Sequence, residues 1–303
     1  MAIITTGLFP EDLRPGIRMW FGSAYKIYDT KYDQIFDVKV PEDRAYEEDV
    51  MMSSLGLATV KTQGAPVTYD NGNQLYATRY THIQYGTGFV ITEEMLEDGI
   101  ALKMGKEFAE NAKLSMLRTR EIICANVLVN SFNSAYQMDG GDGVQLFSNA
   151  HPTPAGNFSN VPVTAASLSE ASMEQACIDV GNYTDQRGIL IAVRPDKLVI
   201  PLALQFTAHR ILNSVLKNDT ADNAINAMRD MGLFPGGVVV NPYLTSTTNW
   251  FVKTDQPGLN YFNRKDITMS DDNEFDTNNM KAKFLMRLSV GWSDPRSCYG
   301  VNA

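Results

Sequence analysis

The sequence predicts an α+β fold from three observations. Residues 47–91 carry Thr, Tyr and Val in strand-like runs around Asp70-Asn71-Gly72-Asn73, which predicts one extended β-hairpin. Residues 93–132 hold an apolar residue at almost every fourth position, which predicts a helix of about 60 Å at about 1.5 Å per residue. Residues 162–250 then alternate helical and strand patterns. A hairpin and helix of that reach do not fold back into a ball. They fit a plate-like subunit that completes itself against neighbours, which points to assembly rather than catalysis.

Residues 1–46 read as an N-terminal arm punctuated by Pro10, Pro15-Gly16 and Pro41. Within it, 17–28 has the spacing of a short helix, with Trp20, Phe21 and Tyr25 on its apolar side. An aromatic segment between Pro and Gly docks on something: its own domain or a neighbouring subunit. Residues 47–91 follow as the extended loop. Asn71-Gly72 suits the positive φ values of a tight turn, flanked by 67–69 and 75–80 as strands. A two-stranded ribbon is marginal alone in water, so it needs another surface, and a neighbour is the expected one. Its contact candidates are Tyr69, Asn71, Gly72, Leu75, Tyr76 and Arg79.

The long helix starts with Thr92 as N-cap and Glu93 and Glu94 at the positive end of its dipole. Leu96, Ile100, Met104, Phe108, Ala112 and Met116 form one stripe, continued by Ile123 and Val127. Lys113, Arg120 and Glu121 are expected on the solvated side, and Gly99 and Gly105 allow a bend. A loop rich in Gly, Asn, Pro and Ser spans 134–161 and reads as exposed. Beyond it, 167–180 is helical with Ser167 or Ser169 as cap. Segments 189–193 and 197–201 read as strands, 202–216 as helix and 238–241 as strand. In 281–290, Ala282, Phe284, Met286, Leu288 and Val290 alternate, giving a strand face able to cover the helix stripe.

Composition narrows the function classes. The 303 residues are 44% hydrophobic and 20% charged, the balance of a globular chain. A formal net charge of −9 without any Lys/Arg run opposes a surface built to hold nucleic-acid phosphates. Cys124, Cys177 and Cys298 are far apart and follow no metal or redox spacing, so reduced thiols are expected, Cys124 buried in the helix. The first residues lack a basic segment followed by an apolar core, and no apolar run approaches membrane-spanning length.

No catalytic, cofactor or metal constellation is expected. His82, His151 and His209 lie in separate segments without a metal-ligand spacing. Ser148 and His151 are close in sequence but lack a nucleophile-elbow turn. The Asp139-Gly140-Gly141-Asp142-Gly143 run lacks both a calcium ligand ladder and the Lys-Ser/Thr of a phosphate loop. Asp271, Asp272, Glu274 and Asp276 have no Gly at the turning position, and Gly86-Thr87-Gly88 lacks the third Gly of a dinucleotide fingerprint.

Several blocks in shared order carry a family resemblance. They are Tyr46-Glu47-Glu48-Asp49-Val50, Arg79-Tyr80-Thr81-His82, Thr119-Arg120-Glu121-Ile122 and Leu146-Phe147-Ser148-Asn149-Ala150-His151-Pro152. Further on come Leu204-Gln205-Phe206-Thr207-Ala208, Thr220-Ala221-Asp222-Asn223, Asn241-Pro242-Tyr243-Leu244-Thr245 and Gly291-Trp292-Ser293-Asp294-Pro295-Arg296. Together they resemble the major capsid proteins of tailed bacteriophages, in particular the Mu-like major head subunit group.

The resemblance implies the tailed-phage major-capsid fold: the arm 1–46, the extended loop 47–91, a peripheral domain from 92–161 and 251–303 with a long spine helix, and an axial α/β domain at 162–250. It implies a structural protein of the virion, not an enzyme, that assembles with itself into hexamers and pentamers of an icosahedral head in the host bacterial cytoplasm. The implied partners are a separate scaffolding protein, a portal, decoration proteins and enclosed double-stranded DNA, with no membrane and no cofactor. The short arm before the loop is the reason a separate scaffold is expected. Two alternatives stand beside this reading: an encapsulin-like cellular compartment of the same fold, and a hydrolase using Ser148 and His151.

Overall fold

Two β-sheets share one continuous core in the computed structural model, which describes residues 30–97, 101–215 and 225–303. Helix α1 (Tyr32–Ile35) leads into strand β1 (Asp37–Lys39), and the ribbon strands β2 (Tyr46–Met52) and β3 (Gln74–Thr81) follow. Strand β4 (Ile83–Ile91), helix α2 (Glu93–Glu97) and the spine helix α3 (Ala101–Val129) come next. A short hairpin of β5 (His151–Thr153) and β6 (Gly156–Phe158) precedes helix α4 (Glu170–Gly181), strand β7 (Pro195–Ile200) and helix α5 (Gln205–Asn213). The chain ends with α6 (Ala227–Asp230), β8 (Val238–Val240), β9 (Trp250–Thr254), β10 (Leu259–Asn273), β11 (Met280–Trp292) and β12 (Cys298–Val301).

The first sheet has the order β1-β10-β11-β4, with β1 parallel to β10 and the other pairs antiparallel. Strict alternation along β11 aims Ala282, Phe284, Met286 and Leu288 at Met116, Cys124 and Leu128 of α3, as the alternating pattern predicts. The Cys124 thiol is buried there, and burial pushes its pKa upward.

The second sheet has the order β12-β9-β7-β8. One face packs Leu198, Ile200, Trp250 and Val252 against Met173 and Val180 of α4 and Ala208 and Ile211 of α5. Val199 and Phe251 point the other way, into the core under α3, where Phe147 stacks on Phe251 at 5.4 Å. A strand buried on both faces reads as an unbroken apolar run, which is what 198–200 is. Strand β9 straddles the 250/251 boundary and β12 lies beyond it, so the second sheet draws on both sides of the expected domain boundary.

Four expectations are corrected. The long helix is not among them: α2 and the 29-residue α3, which spans about 44 Å at about 1.5 Å per residue, flank residues 98–100, and these, Gly99 and Ile100 included, lie outside the described residues, as do the side chains of Leu96 and Met104. Thr92 does cap α2, its Oγ1 accepting from the Met95 amide at 3.4 Å. The charged residues Lys113, Arg120 and Glu121 are buried, the last two because segment 30–36 lies across α3 there. Glu121 accepts from the amides of Lys31 at 2.9 Å and Tyr32 at 3.1 Å, and the Arg120 guanidinium lies 4.6 Å from the Tyr32 ring centre. Burial raises the Glu121 carboxyl above its ordinary range, with the two amides opposing the shift.

Residues 189–193 form no strand. Their backbone bonds go back to the preceding turn, with Asp185 N donating to Ile189 O and Ile191 N to Tyr183 O, so no sheet partner remains for them. The predicted helix 202–216 is a 3-10 turn at Leu202–Leu204 followed by the shorter α5, with its last residue outside the described set. Finally, the 134–161 segment is only partly exposed. Leu146, Phe147, His151 and Asn160 are buried between the two sheets, where Asn160 Nδ2 donates to the carbonyls of Leu146 and Pro295. At the second helix, Ser169 rather than Ser167 is the cap and closes a capping box with Ser172.

Candidate assembly surface

Strands β2 and β3 form a two-stranded ribbon that leaves the first sheet at a single residue. Thr81 pairs with Tyr46 in the ribbon, and two residues later Ile83 pairs with Leu288 of β11. His82 sits between these pairings, buried, with Nε2 3.3 Å from Glu47 Oε1 and Nδ1 3.0 Å from Ser289 Oγ. Its own amide donates to Ala45 O at 3.3 Å. The three side chains therefore tie ribbon, strand junction and sheet together at the joint.

The ribbon's base lies on its own subunit rather than on a neighbour. Tyr76 Oη donates to Ser293 O at 3.3 Å, Asn260 Nδ2 donates to Tyr80 Oη at 3.0 Å, and Ser293 Oγ donates to Asp49 Oδ2 at 2.7 Å. Along the free edge of β3, the Arg79 amide donates to Asp139 O at 2.7 Å. Gly140 adopts φ +70° there, and a Cβ on it would stand 2.3 Å from Ala77 O. Within the 139–143 run, Gly140 thus serves close backbone approach.

Between the ribbon strands, 53–73 forms an irregular loop, not a tight hairpin. The expected turn at Asn71-Gly72 is displaced. Gly64 takes the positive φ, +82°, beside a turn in which Ala65 N donates to Thr62 O. Asp70-Asn71 is instead occupied locally: the Asp70 carboxylate accepts from the amides of Gly56 at 2.6 Å and Asn71 at 2.8 Å. The apex presents Leu57 at 77%, Val60 at 94% and Tyr69 at 91% exposure, with Leu55 and Val67 also exposed. Apolar side chains concentrated on one projecting loop mark an interaction surface.

The contact candidates separate accordingly. Tyr69 stands free in solvent, and Gly72 is exposed near the loop's foot. Leu75 and Tyr76 are half-buried on the subunit's own surface, and the Asn71 carbonyl accepts from Arg187. Arg79 is held within the ribbon, donating to Glu48 at 2.6 Å with its guanidinium 4.3 Å from the Tyr46 ring centre. Trp20, Phe21 and Tyr25 lie outside the described residues. The apolar residues Leu55, Leu57 and Val60 were not singled out by sequence. Their missed signal is an apolar run, 55–60, without an alternating polar face or charge.

Ser148 and His151 do not meet as nucleophile and base. Both ring nitrogens of His151 face other acceptors, Asp142 Oδ2 at 2.6 Å and Leu146 O at 3.2 Å, while Ser148 Oγ accepts from the Ala150 amide. Among the described residues, no group of three or more His, Cys, Asp or Glu side chains stands where it could hold a metal ion. Nor is any described helix long and apolar enough to cross a membrane.

A projecting ribbon, a spine helix laid on one sheet and a second sheet continuous with it define the subunit type of the tailed-phage capsid fold. The chain belongs to the phage capsid protein family, whose sequence model matches residues 75–301. Its structure is similar to a subunit from Mycobacterium phage Patience, with TM-score 0.54 at 10% identity over 98% of this chain and 88% of that one. It is also similar to the procapsid of bacteriophage JBD30, with TM-score 0.50 at 14% identity over 99% and 76%. The virus-like particle from Pyrococcus furiosus gives TM-score 0.54 at 10% identity over 97% and 99%. At such identities the likeness is one of fold. No curated protein sequence matches the chain. As a major capsid subunit, its role is structural, in the shell of the virion.

Proposed function

We propose that copies of this chain assemble into hexamers and pentamers that close an icosahedral head around double-stranded DNA. The observation carrying this reading is the apolar 55–69 apex, which projects on a ribbon whose base is anchored on its own subunit. Docked on an adjacent copy, the apex gains the cover its own subunit does not supply. Trp20, Phe21 and Tyr25 of the arm add contacts to neighbours, residues 92–161 and 251–303 serve as the peripheral domain, and 162–250 gathers at the capsomer centre. Many weak contacts of this kind add by multivalency while each stays reversible enough to correct errors. The net charge of −9 suits a wall that encloses DNA without gripping it.

The resemblance to the Mu-like group supports a separate scaffolding protein, a portal and decoration proteins as partners, with assembly in the host bacterial cytoplasm. An encapsulin-like compartment shares the fold, but the match to the phage capsid family favours the viral head. Negative-stain electron microscopy of the protein, alone and with a candidate scaffold, tests the reading. Closed shells, tubes or hexameric rings are expected. A monodisperse monomer with every scaffold tried overturns it.

A further inference from the structure

We infer that the 185–188 turn between α4 and β7 is an intrasubunit latch that preorganises the extended loop for docking on another copy. The inference rests on reading that loop as an assembly element, and it names what controls the loop's direction.

Four contacts converge on the loop's two feet. Arg187 Nη1 donates to Asp70 Oδ2 at 2.5 Å and its Nη2 donates to Asn71 O at 2.6 Å. On the other foot, Ser54 Oγ donates to Asp185 Oδ2. Gln186, buried between them, places Nε2 2.9 Å from Met51 Sδ at the end of β2. Gly56 closes the set: its amide donates to Asp70, and a Cβ there would stand 3.1 Å from Asp70 Oδ2 and 3.2 Å from Arg187 Nη1.

The turn that supplies these contacts is itself rigid. Asp185 Oδ1 accepts from the amides of Arg187 and Ile189, both at 2.8 Å, and Gly188 takes φ +81°. Behind it, the buried Arg296 donates from Nε to Thr184 O at 2.6 Å, joining the turn to the core. An otherwise irregular loop of 21 residues is therefore held at a set angle to the second sheet. Fixing it before contact removes part of the ordering cost of association. The grip is also reversible. The Asp70 and Arg187 side chains are 41% and 28% exposed, so water and salt weaken the pair.

The test uses the full chain carrying Arg187→Ala, with Arg187→Lys as the conservative variant. Amide hydrogen exchange over 53–73 is measured in the free subunit, and shell formation is followed by light scattering. Exchange in the loop is expected to rise about three- to tenfold in Arg187→Ala, with β7 and β11 unchanged and shell formation slowed. Arg187→Lys keeps the charge but not the fork and is expected to fall between. Unchanged loop exchange overturns the latch whether or not shells form. Faster exchange with an unchanged assembly rate overturns its preorganising role. Should Arg187→Ala not fold, raising salt from low to molar concentration on the wild-type subunit decides instead, since a latch of this kind loosens the loop and its absence leaves exchange unmoved. Failure of the wild-type chain to assemble with every scaffold tried sinks the capsid reading separately, and the exchange measurement still decides the latch.

Discussion

His82 Nε2 stands 3.3 Å from Glu47 Oε1, and this buried pair marks the one-residue joint where the ribbon leaves the first sheet. Ser289 fills the other ring nitrogen, so the joint is defined by side chains from β2, from the β3–β4 junction and from β11. Replacing His82 by Ala strands the Ser289 hydroxyl in a buried site and leaves Glu47 Oε1 with only the Glu42 amide. A loss of about 1–3 kcal/mol is expected from such unsatisfied groups. Urea unfolding measures it, and Ser289→Ala, which leaves the His82–Glu47 contact, is expected to lose less.

The loop apex is expected to matter for assembly and not for folding. Excising 57–67 and joining the feet with a short Gly-Ser link removes exposed apolar residues and leaves Asp70, Asn71 and the ribbon intact. The subunit should melt as the wild type does and fail to make closed shells. Normal shells in electron micrographs of the deletion would falsify the docking role.

Gly140 tolerates no side chain. A Cβ would meet Ala77 O at 2.3 Å on a backbone of φ +70°. Gly140→Ala is expected to cost about 1–3 kcal/mol through strain and displaced backbone, read as a lower denaturation midpoint. Gly143, at φ +79° with open space around it, meets the strain without the clash and should cost less.

Glu121 caps the segment that crosses the spine helix. Glu121→Ala leaves the Lys31 and Tyr32 amides without their acceptor, for an expected loss of about 1–3 kcal/mol. Faster proteolysis near residues 30–36, before the core opens, is the accompanying sign.

Acid is expected to open the feet of the loop. The Gly56 amide and then Arg187 hold the Asp70 carboxyl below its ordinary value of 3.8. For Asp185, desolvation pushes upward but is outweighed by Ser54 and the Ile189 and Arg187 amides, so it too is lowered from 3.8. Groups depressed in the folded state contribute fully above their unfolded value and lose that contribution as pH falls through the folded one. The contacts should therefore be constant through neutral pH and be lost only below 3.8, followed by the Gly56 amide resonance. Loss at pH 5–6 would contradict this origin.

The alternation of Ala282, Phe284, Met286 and Leu288 was legible because a strand with one buried face repeats every two residues. The cap at Thr92 and the buried Cys124 were legible for similarly local reasons. Arg120 and Glu121 were misassigned because charge alone says nothing about a segment some 90 positions away that covers them. Residues 189–193 carry strand-like side chains, but an amide, a carbonyl and a carboxylate of the preceding 183–185 turn took their hydrogen bonds first. Asn71-Gly72 has the composition of a tight turn, and Arg187, 116 positions distant, claims its carbonyl instead.

By itself, the sequence determined the order of parts: a ribbon, a spine helix, an alternating module and a returning strand, because side-chain periodicity and turn chemistry act over a few residues. The resemblance to phage capsid subunits rested on that same linear order. Only the tertiary structure decided that one core joins both sheets, that His82 forms the joint of the ribbon, and that the loop's feet are gripped while its apolar apex stays uncovered. Those facts depend on burial and on hydrogen bonds between residues distant in the chain, and such pairings exist only once the chain has closed on itself.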